Sequence, residues 1–355
     1  MISPLVKQLY IEKYGEEDYA ENCDYQKESW WWWPFNQIEL YAQVCQIGTL
    51  MTGLTLAKKQ KAVHGNPGTF VTGRFELDPE AQKRFGLAQS RFPVSLRHNY
   101  ADTAAGPLSK GAKSMAVDIS GFLTLIMLSA PVAGFWNLPT FLTFFNLQGG
   151  RSQQQMKRVD SLLQKNPLIW EVYQGTPYYA TSYLQLVYNT LMTYEYTTAE
   201  GSYLIRFRGT PKGAQSDDYL MPPEEVAKFW DGEYYEAQDK QAPANLFELD
   251  YQDRLEDKVT YTLEYQIRPL PTDSKVQAQY RHCMYKWGVP FHVLGTITIP
   301  PQELKQDKGK PFDLRQMFPG LGVVAPKDAY DPSTIAWLRL HVYPFIQDLR
   351  KVYGM

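Results

Sequence analysis

Residues 261–268 read Tyr261-Thr262-Leu263-Glu264-Tyr265-Gln266-Ile267-Arg268, with apolar and polar side chains in regular alternation. Successive side chains of a strand point to opposite faces, so this run buries one face and wets the other as a strand, and would mix the two as a helix. Further strand runs lie at 202–208, 259–268 and 291–299, and between 70 and 145 short β-branched and aromatic runs are separated by Gly, Pro, Asn and Asp. Such runs in both halves of the chain favour an antiparallel barrel. The run at 183–196 also fits a strand, although by length it can be a helix.

Helical readings flank these strands. Residues 1–60 have helical spacing at Leu5, Leu9 and Tyr10 and again from Ile38 to Leu56, with no proline after Pro34, and form an expected N-terminal helical arm. A helix is expected over 153–164, with Met156, Val159, Leu162 and Leu163 on one side and Pro167 beyond its end. Pro223 opens a short helix through Phe229, and 231–244 reads as polar linker. There is no internal repeat and no low-complexity tract.

Composition narrows the class. With 355 residues the chain is one large domain or two, and its 44% hydrophobic and 14% aromatic content supplies a sizeable core. A formal net charge of −2 gives no basic excess, so no nucleic-acid partner is expected. Cys23, Cys45 and Cys283 are widely spaced and make no CxxC or CxxCH pattern, which points to a reducing compartment and against covalent cofactor attachment. Lys7, Glu12, Lys13, Glu16, Glu17 and Asp18 leave no apolar stretch for a secretory signal, so the expected location is cytoplasmic. Residues 121–145 carry no charge, but Pro131 and Pro139, with Gly134 and Asn137, read as two buried segments joined by a turn rather than one membrane span. The block Trp30-Trp31-Trp32-Trp33-Pro34-Phe35 fits burial against the barrel, a peripheral membrane anchor or a lid over an apolar channel.

Near the C-terminus, Trp337-Leu338-Arg339-Leu340-His341-Val342-Tyr343-Pro344 puts Arg339 four residues before Tyr343, on one helical face. A free phenol has a pKa of about 10, and a guanidinium close to it favours the ionised form. Phenolate is a hard anionic ligand for ferric iron. Far upstream, Lys61-Ala62-Val63-His64-Gly65-Asn66-Pro67-Gly68 is followed by Thr72-Gly73-Arg74-Phe75-Glu76-Leu77. Between these ends lie Pro93-Val94-Ser95-Leu96-Arg97, Lys113-Ser114-Met115-Ala116-Val117, Gly201-Ser202-Tyr203-Leu204-Ile205-Arg206-Phe207, Pro290-Phe291-His292-Val293-Leu294-Gly295 and Phe318-Pro319-Gly320-Leu321-Gly322.

In that order the segments resemble the haem catalases, over roughly residues 57–352. Because the chain stops soon after the tyrosine helix, it is similar to the minimal catalase-related branch that includes allene oxide synthases. The resemblance implies an α+β fold: an eight-stranded antiparallel β-barrel with flanking helices and an N-terminal helical arm. It divides one structural domain into the arm (1–60), a haem barrel with helical insertions (61–300), and a crossing segment with the proximal tyrosine helix (301–355). It further implies non-covalent ferric haem b with Tyr343 as axial ligand and Arg339 beside it. Lys61, Arg97 and Arg350 would meet the propionates.

On the opposite face the resemblance makes His64 the distal acid–base group, with Val63 before it, and Asn137 the donor that orients peroxide. Phe135, Trp136, Leu138 and Phe141 would line an apolar substrate approach. Three departures alter details: Lys61 stands where the family has arginine, His98-Asn99 where it has Phe-Ser, and Trp136-Asn137 where it has two asparagines. Asn99 can still accept from the distal imidazole through its carbonyl oxygen. The implied activity is O–O cleavage of fatty acid hydroperoxides, of the allene oxide synthase, epoxyalcohol synthase or hydroperoxide lyase type. The alternatives are a small catalase or peroxidase acting on hydrogen peroxide and a non-enzymatic haem-binding or membrane-associated protein. Oligomeric state is left open.

Overall fold

In chain order the strands are β1 (Thr69–Leu77), β2 (Arg91–Tyr100), β3 (Lys113–Ile119), β4 (Leu123–Leu128), β5 (Tyr188–Asn189), β6 (Tyr194–Thr198), β7 (Gly201–Pro211), β8 (Val259–Pro269), β9 (His292–Ile299), β10 (Lys305–Gln306) and β11 (Leu321–Gly322). The computed structural model describes residues 40, 42, 44–49, 51, 68–100, 113–130, 141, 180–214, 243, 245–282, 287–306, 310–327 and 331–352, with backbone alone at 100 and 350. Alternation works as the sequence predicts: in β8, Val259, Tyr261, Leu263 and Tyr265 are buried, whereas Thr260, Thr262 and Glu264 are only partly covered. A bulge against β9 follows at Leu263/Glu264, after which the alternation shifts and Gln266 is also buried.

Eight antiparallel strands close on themselves in the order β1-β2-β3-β4-β5-β7-β8-β9 and back to β1. The expected barrel is therefore present. β6 extends the β7 edge, β11 adds to β6, and β10 pairs with β1. A barrel of this size has an interior that side chains fill, and here Phe75, Leu96, Met115, Leu125, Phe207 and Ile297 are fully buried in one continuous core. Each such side chain contributes roughly 1.5–3 kcal/mol by leaving water.

The run at 183–196 resolves into a 3₁₀ turn, Tyr183–Gln185, capped by Ser182 and Gln185, then β5 and β6 along the same β7 edge. The break between them is bridged by Thr190, whose backbone N–H donates to the Phe207 carbonyl, and by Leu191, held at φ 56°. Of the uncharged stretch at 121–145, residues 123–128 form β4 and are almost wholly buried. No helix among the described residues is long and apolar enough to cross a membrane. The helices expected at 153–164 and 223–229, the tryptophan block and nearly all of the 231–244 linker lie outside the described residues.

Among the described residues, helices flank the barrel. In α1 (Pro79–Arg84) the Asp78 carboxylate accepts from the backbone N–H of Glu80 and Ala81. α2 (Leu246–Arg254) inserts Phe247 and Tyr251 into the core, and α3 (Ser274–Arg281) starts from an Asp273 cap. α4 (Thr334–Val352) is the 19-residue tyrosine helix, with Pro344 inside it. The helical arm packs on α4: Leu40, Val44, Ile47 and Met51 form one cluster with Leu338, Val342 and Ile346. Contact there is close enough that a Cβ on Gly48 would collide with the ring of Phe345.

A crossing segment, 310–327, joins the barrel to α4. Phe318 anchors it among Phe85, Phe122 and Tyr196, at ring-centroid distances of 5.1, 5.1 and 5.9 Å. Gly320, at φ +84°, then turns the chain into β11, where any larger residue would be strained and would meet the Thr197 carbonyl.

Candidate functional site

Leu96, His98, Met115, Val117, Leu125 and Met127 fill the barrel interior, so the residues between them stand on the outer face. Register then aligns Phe70, Arg97, Ala116 and Ile126 as direct cross-strand partners on β1 to β4. These four form a row across the outside of the barrel. Tyr343 and Leu340 of α4 pack against it, together with Phe312 and Leu314 of the crossing segment. Arg97 belongs to the same wall: its guanidinium carbon lies 4.5 Å from the Phe312 ring centroid, and its Nη2 donates to the Lys310 carbonyl at 2.8 Å.

Tertiary structure thus brings together Tyr343, Arg339 and Arg97. Arg339 lies one turn before Tyr343, as the spacing requires, yet its guanidinium reaches the barrel instead of the phenol oxygen. Its Nη1 donates to the Ile126 carbonyl at 3.4 Å, a long bond, and no hydrogen bond joins it to Tyr343 among the described residues. The physical reason is that β4 offers a carbonyl at the wall on which α4 is packed. Arg339 also acts on Tyr194: burial pushes that phenol well above its usual range, and the guanidinium charge opposes the shift.

His98 faces the other way. Its Nε2 is 2.9 Å from the Tyr261 hydroxyl, its ring stacks on Tyr183 at 4.6 Å, and Tyr261 donates to Tyr251 at 2.9 Å. Burial lowers the His98 pKa to about 3, so the imidazole is neutral. Burial likewise raises Tyr188, Tyr251 and Tyr261, which remain protonated. His98 therefore fills an interior aromatic position. Asn99, the next residue, returns to the outer face, and its Oδ1 accepts from the Ser114 hydroxyl. The carbonyl oxygen expected to serve a distal imidazole thus already has a partner within the barrel wall.

Phe141 packs against the cluster of Leu338, Val342 and the helical arm, which places it on the flank of the tyrosine helix. Lys61, Val63, His64, Phe135, Trp136, Leu138 and Asn137 lie outside the described residues, as does the side chain of Arg350. Among the described residues no group of three or more His, Cys, Asp or Glu is arranged to hold a metal ion. Among the described residues, Tyr343 brings a hard oxygen donor to the wall. Sequence reasoning missed Lys310 and Phe312, which lie in the polar stretch Lys308-Gly309-Lys310-Pro311-Phe312 with no periodic signal to mark them.

This architecture is shared with solved catalases. A bacterial catalase superposes with a TM-score of 0.60 at 13% identity, over 81% of this chain and 56% of that one. The fold is catalase-like. A fungal catalase gives 0.58 at 15% identity, and catalase A from Saccharomyces cerevisiae 0.57 at 14%, each again over 81% of this chain and over 58% and 60% of theirs. In sequence, this chain is 25% identical over 371 aligned positions to the allene oxide synthase-lipoxygenase protein of Plexaura homomalla, an alignment that takes in 97% of it. It spans 33% of that curated relative's length. No protein-family model matches.

Proposed function

We propose that this chain is a haem-dependent enzyme that cleaves the O–O bond of fatty acid hydroperoxides. The carrying observation is that an oxygen donor, Tyr343, and a cation, Arg97, flank one apolar wall of Phe70, Ala116, Ile126, Phe312 and Leu314. This donor set fits a flat apolar macrocycle with a ferric centre and an acidic edge. Tyr343 would ligate the iron and Arg97 would pair with a propionate, with Lys61 and Arg350 as further partners. The likeness along nearly the whole chain to a protein named for allene oxide synthase supports the choice of substrate class.

Ferric haem, when bound, supplies the chemistry that breaks a peroxide bond. The chain's own residues do the rest. His64, as a neutral imidazole, takes the proton of the peroxide and returns it to the departing oxygen, acting as general base and then general acid. Asn137 donates a hydrogen bond that orients the peroxide. Phe135, Trp136 and Leu138 would offer an apolar approach suited to an acyl chain.

The test is an optical spectrum of the purified protein followed by stopped-flow mixing with a polyunsaturated fatty acid hydroperoxide and, separately, with hydrogen peroxide. A high-spin ferric spectrum with fast loss of the lipid hydroperoxide and little oxygen release is the expected result. One observation favours a second reading, a small catalase. Val63 carries no hydroxyl that could bind the neighbouring imidazole and weaken proton shuttling by His64. Rapid oxygen release from hydrogen peroxide alone would establish that reading in place of the first.

A further inference from the structure

Residues 310–316 cross the outer face of β2, β3 and β4, and one carboxylate holds both ends of the crossing. Lys310 Nζ donates to Asp118 Oδ2 at 2.8 Å and to Ser95 Oγ at 2.9 Å. Gln316 Nε2 donates to Asp118 Oδ1 at 2.9 Å, to Thr124 Oγ1 at 3.1 Å and to the Ile119 carbonyl at 2.9 Å. Ser95, Asp118 and Thr124 are direct cross-strand partners, in the outer-face row next to that of Arg97. Asp118 is well covered, with a side-chain exposure of 14%, while Lys310 reaches it from a more open position at 40%.

Between these two ties the backbone presents the Lys310 carbonyl to Arg97 Nη2 and sets the Phe312 ring under the guanidinium. A segment remote in sequence therefore takes part in setting the direction of the Arg97 side chain. A guanidinium already held in one conformer loses less freedom on pairing with a carboxylate, and that saving appears as affinity.

We propose that Lys310 is a positioning residue for Arg97 and, through it, sets how tightly the acidic edge of the bound cofactor is held. This rests on the haem reading above. Lys310 touches neither the cofactor nor the substrate in this role. Its ammonium ties the segment to Asp118 and Ser95, and its carbonyl fixes the arginine.

The experiment measures the rate at which the haem-loaded full chain loses haem to excess apomyoglobin, using haem and haem dimethyl ester, which lacks the free carboxylates. Lys310→Met should speed loss of haem about tenfold, the size typical of removing a group that orients a ligand-binding residue. Lys310→Arg should restore most of it. In the Arg97→Met background Lys310→Met should add nothing, and with the dimethyl ester it should have no effect. The ferric spectrum that reports Tyr343 should stay unchanged throughout. Asp118→Asn breaks the same tie from the barrel side and should reproduce the pattern, with the thermal melt of each apo variant confirming that it folds. Faster loss of the ester as well, or an added effect on top of Arg97→Met, would make Lys310 a general packing residue and overturn the proposal. Tight haem binding indifferent to Lys310 would sink the proposal and leave the haem reading standing, whereas a wild-type chain that takes up no haem would sink both.

Discussion

On β2, Arg97 stands on the outer wall within the Tyr343 cluster, whereas His98, one residue along, is sealed among the phenols of the barrel interior. The same strand delivers a charged, partly exposed cation to one side and a neutral, fully buried imidazole to the other. The contrast teaches that closeness in sequence to a candidate site says little about membership of it. Strand period decides: His98 is a core residue with a polar edge, and Arg97 is the residue that can meet a ligand.

The largest separation between the two regions should come from Tyr343→Phe. It removes one hydroxyl from the outer wall and leaves the ring in its packing. Peroxide turnover should fall at least ~100-fold and the ferric phenolate spectrum should vanish, while the melting temperature stays close to wild type. A variant that kept both spectrum and turnover would place the iron ligand elsewhere. The interior side is probed next by His98→Ala against Arg97→Met. Deleting the buried ring and the partner of Tyr261 should cost about 2–4 kcal/mol in urea unfolding. Loss of Arg97 should cost about 1 kcal/mol or less. Activity should show the reverse order, and a stability loss at Arg97 equal to that at His98 would erase the distinction drawn here.

Acid should sharpen the same contrast. His98 and His282 are both lowered to about 3, chiefly by burial and, for His282, also by the Arg206 charge. Below the ordinary histidine pKa of about 6.5, the unfolded chain binds protons that the native chain refuses, so stability falls as pH drops from about 6.5 towards 3 and is fully present above that window. Each histidine contributes a slope of about 1.4 kcal/mol per pH unit. His98→Phe should therefore remove about half of the pair's joint slope in urea unfolding at pH 6, 5 and 4. An unchanged slope would mean that the imidazole is already accessible to protons. Gly48→Ala should cost about 1–2 kcal/mol and leave peroxide turnover close to wild type. It forces Phe345 of the tyrosine helix away from the arm, so faster proteolysis of the arm with an intact barrel is the expected readout.

The fold was legible where a local period carries it. Alternation at 259–268 and 291–299 became β8 and β9, and the segments around Phe70, Arg97, Ala116 and Arg206 became β1, β2, β3 and β7. The run at 183–196 was ambiguous because its break, a 3₁₀ turn and a left-handed Leu191, follows neither period. At the candidate site, the helical spacing of Arg339 and Tyr343 located the pair but not what the guanidinium meets, since the Ile126 carbonyl belongs to a strand 213 residues away.

Periodicity and spacing in the chain were enough to set the antiparallel strands and the placing of Arg339 one helical turn before Tyr343, because each depends on residues within a few positions of one another, whereas Arg97 and the eight-stranded closure were expected from the family resemblance alone. Only closure of the barrel decided that Phe70, Arg97, Ala116 and Ile126 form one row, that His98 turns inward, and that Lys310 holds Arg97 from 213 residues away. Those outcomes follow from register between distant strands, and a one-residue slip would send every side chain of the row to the opposite face.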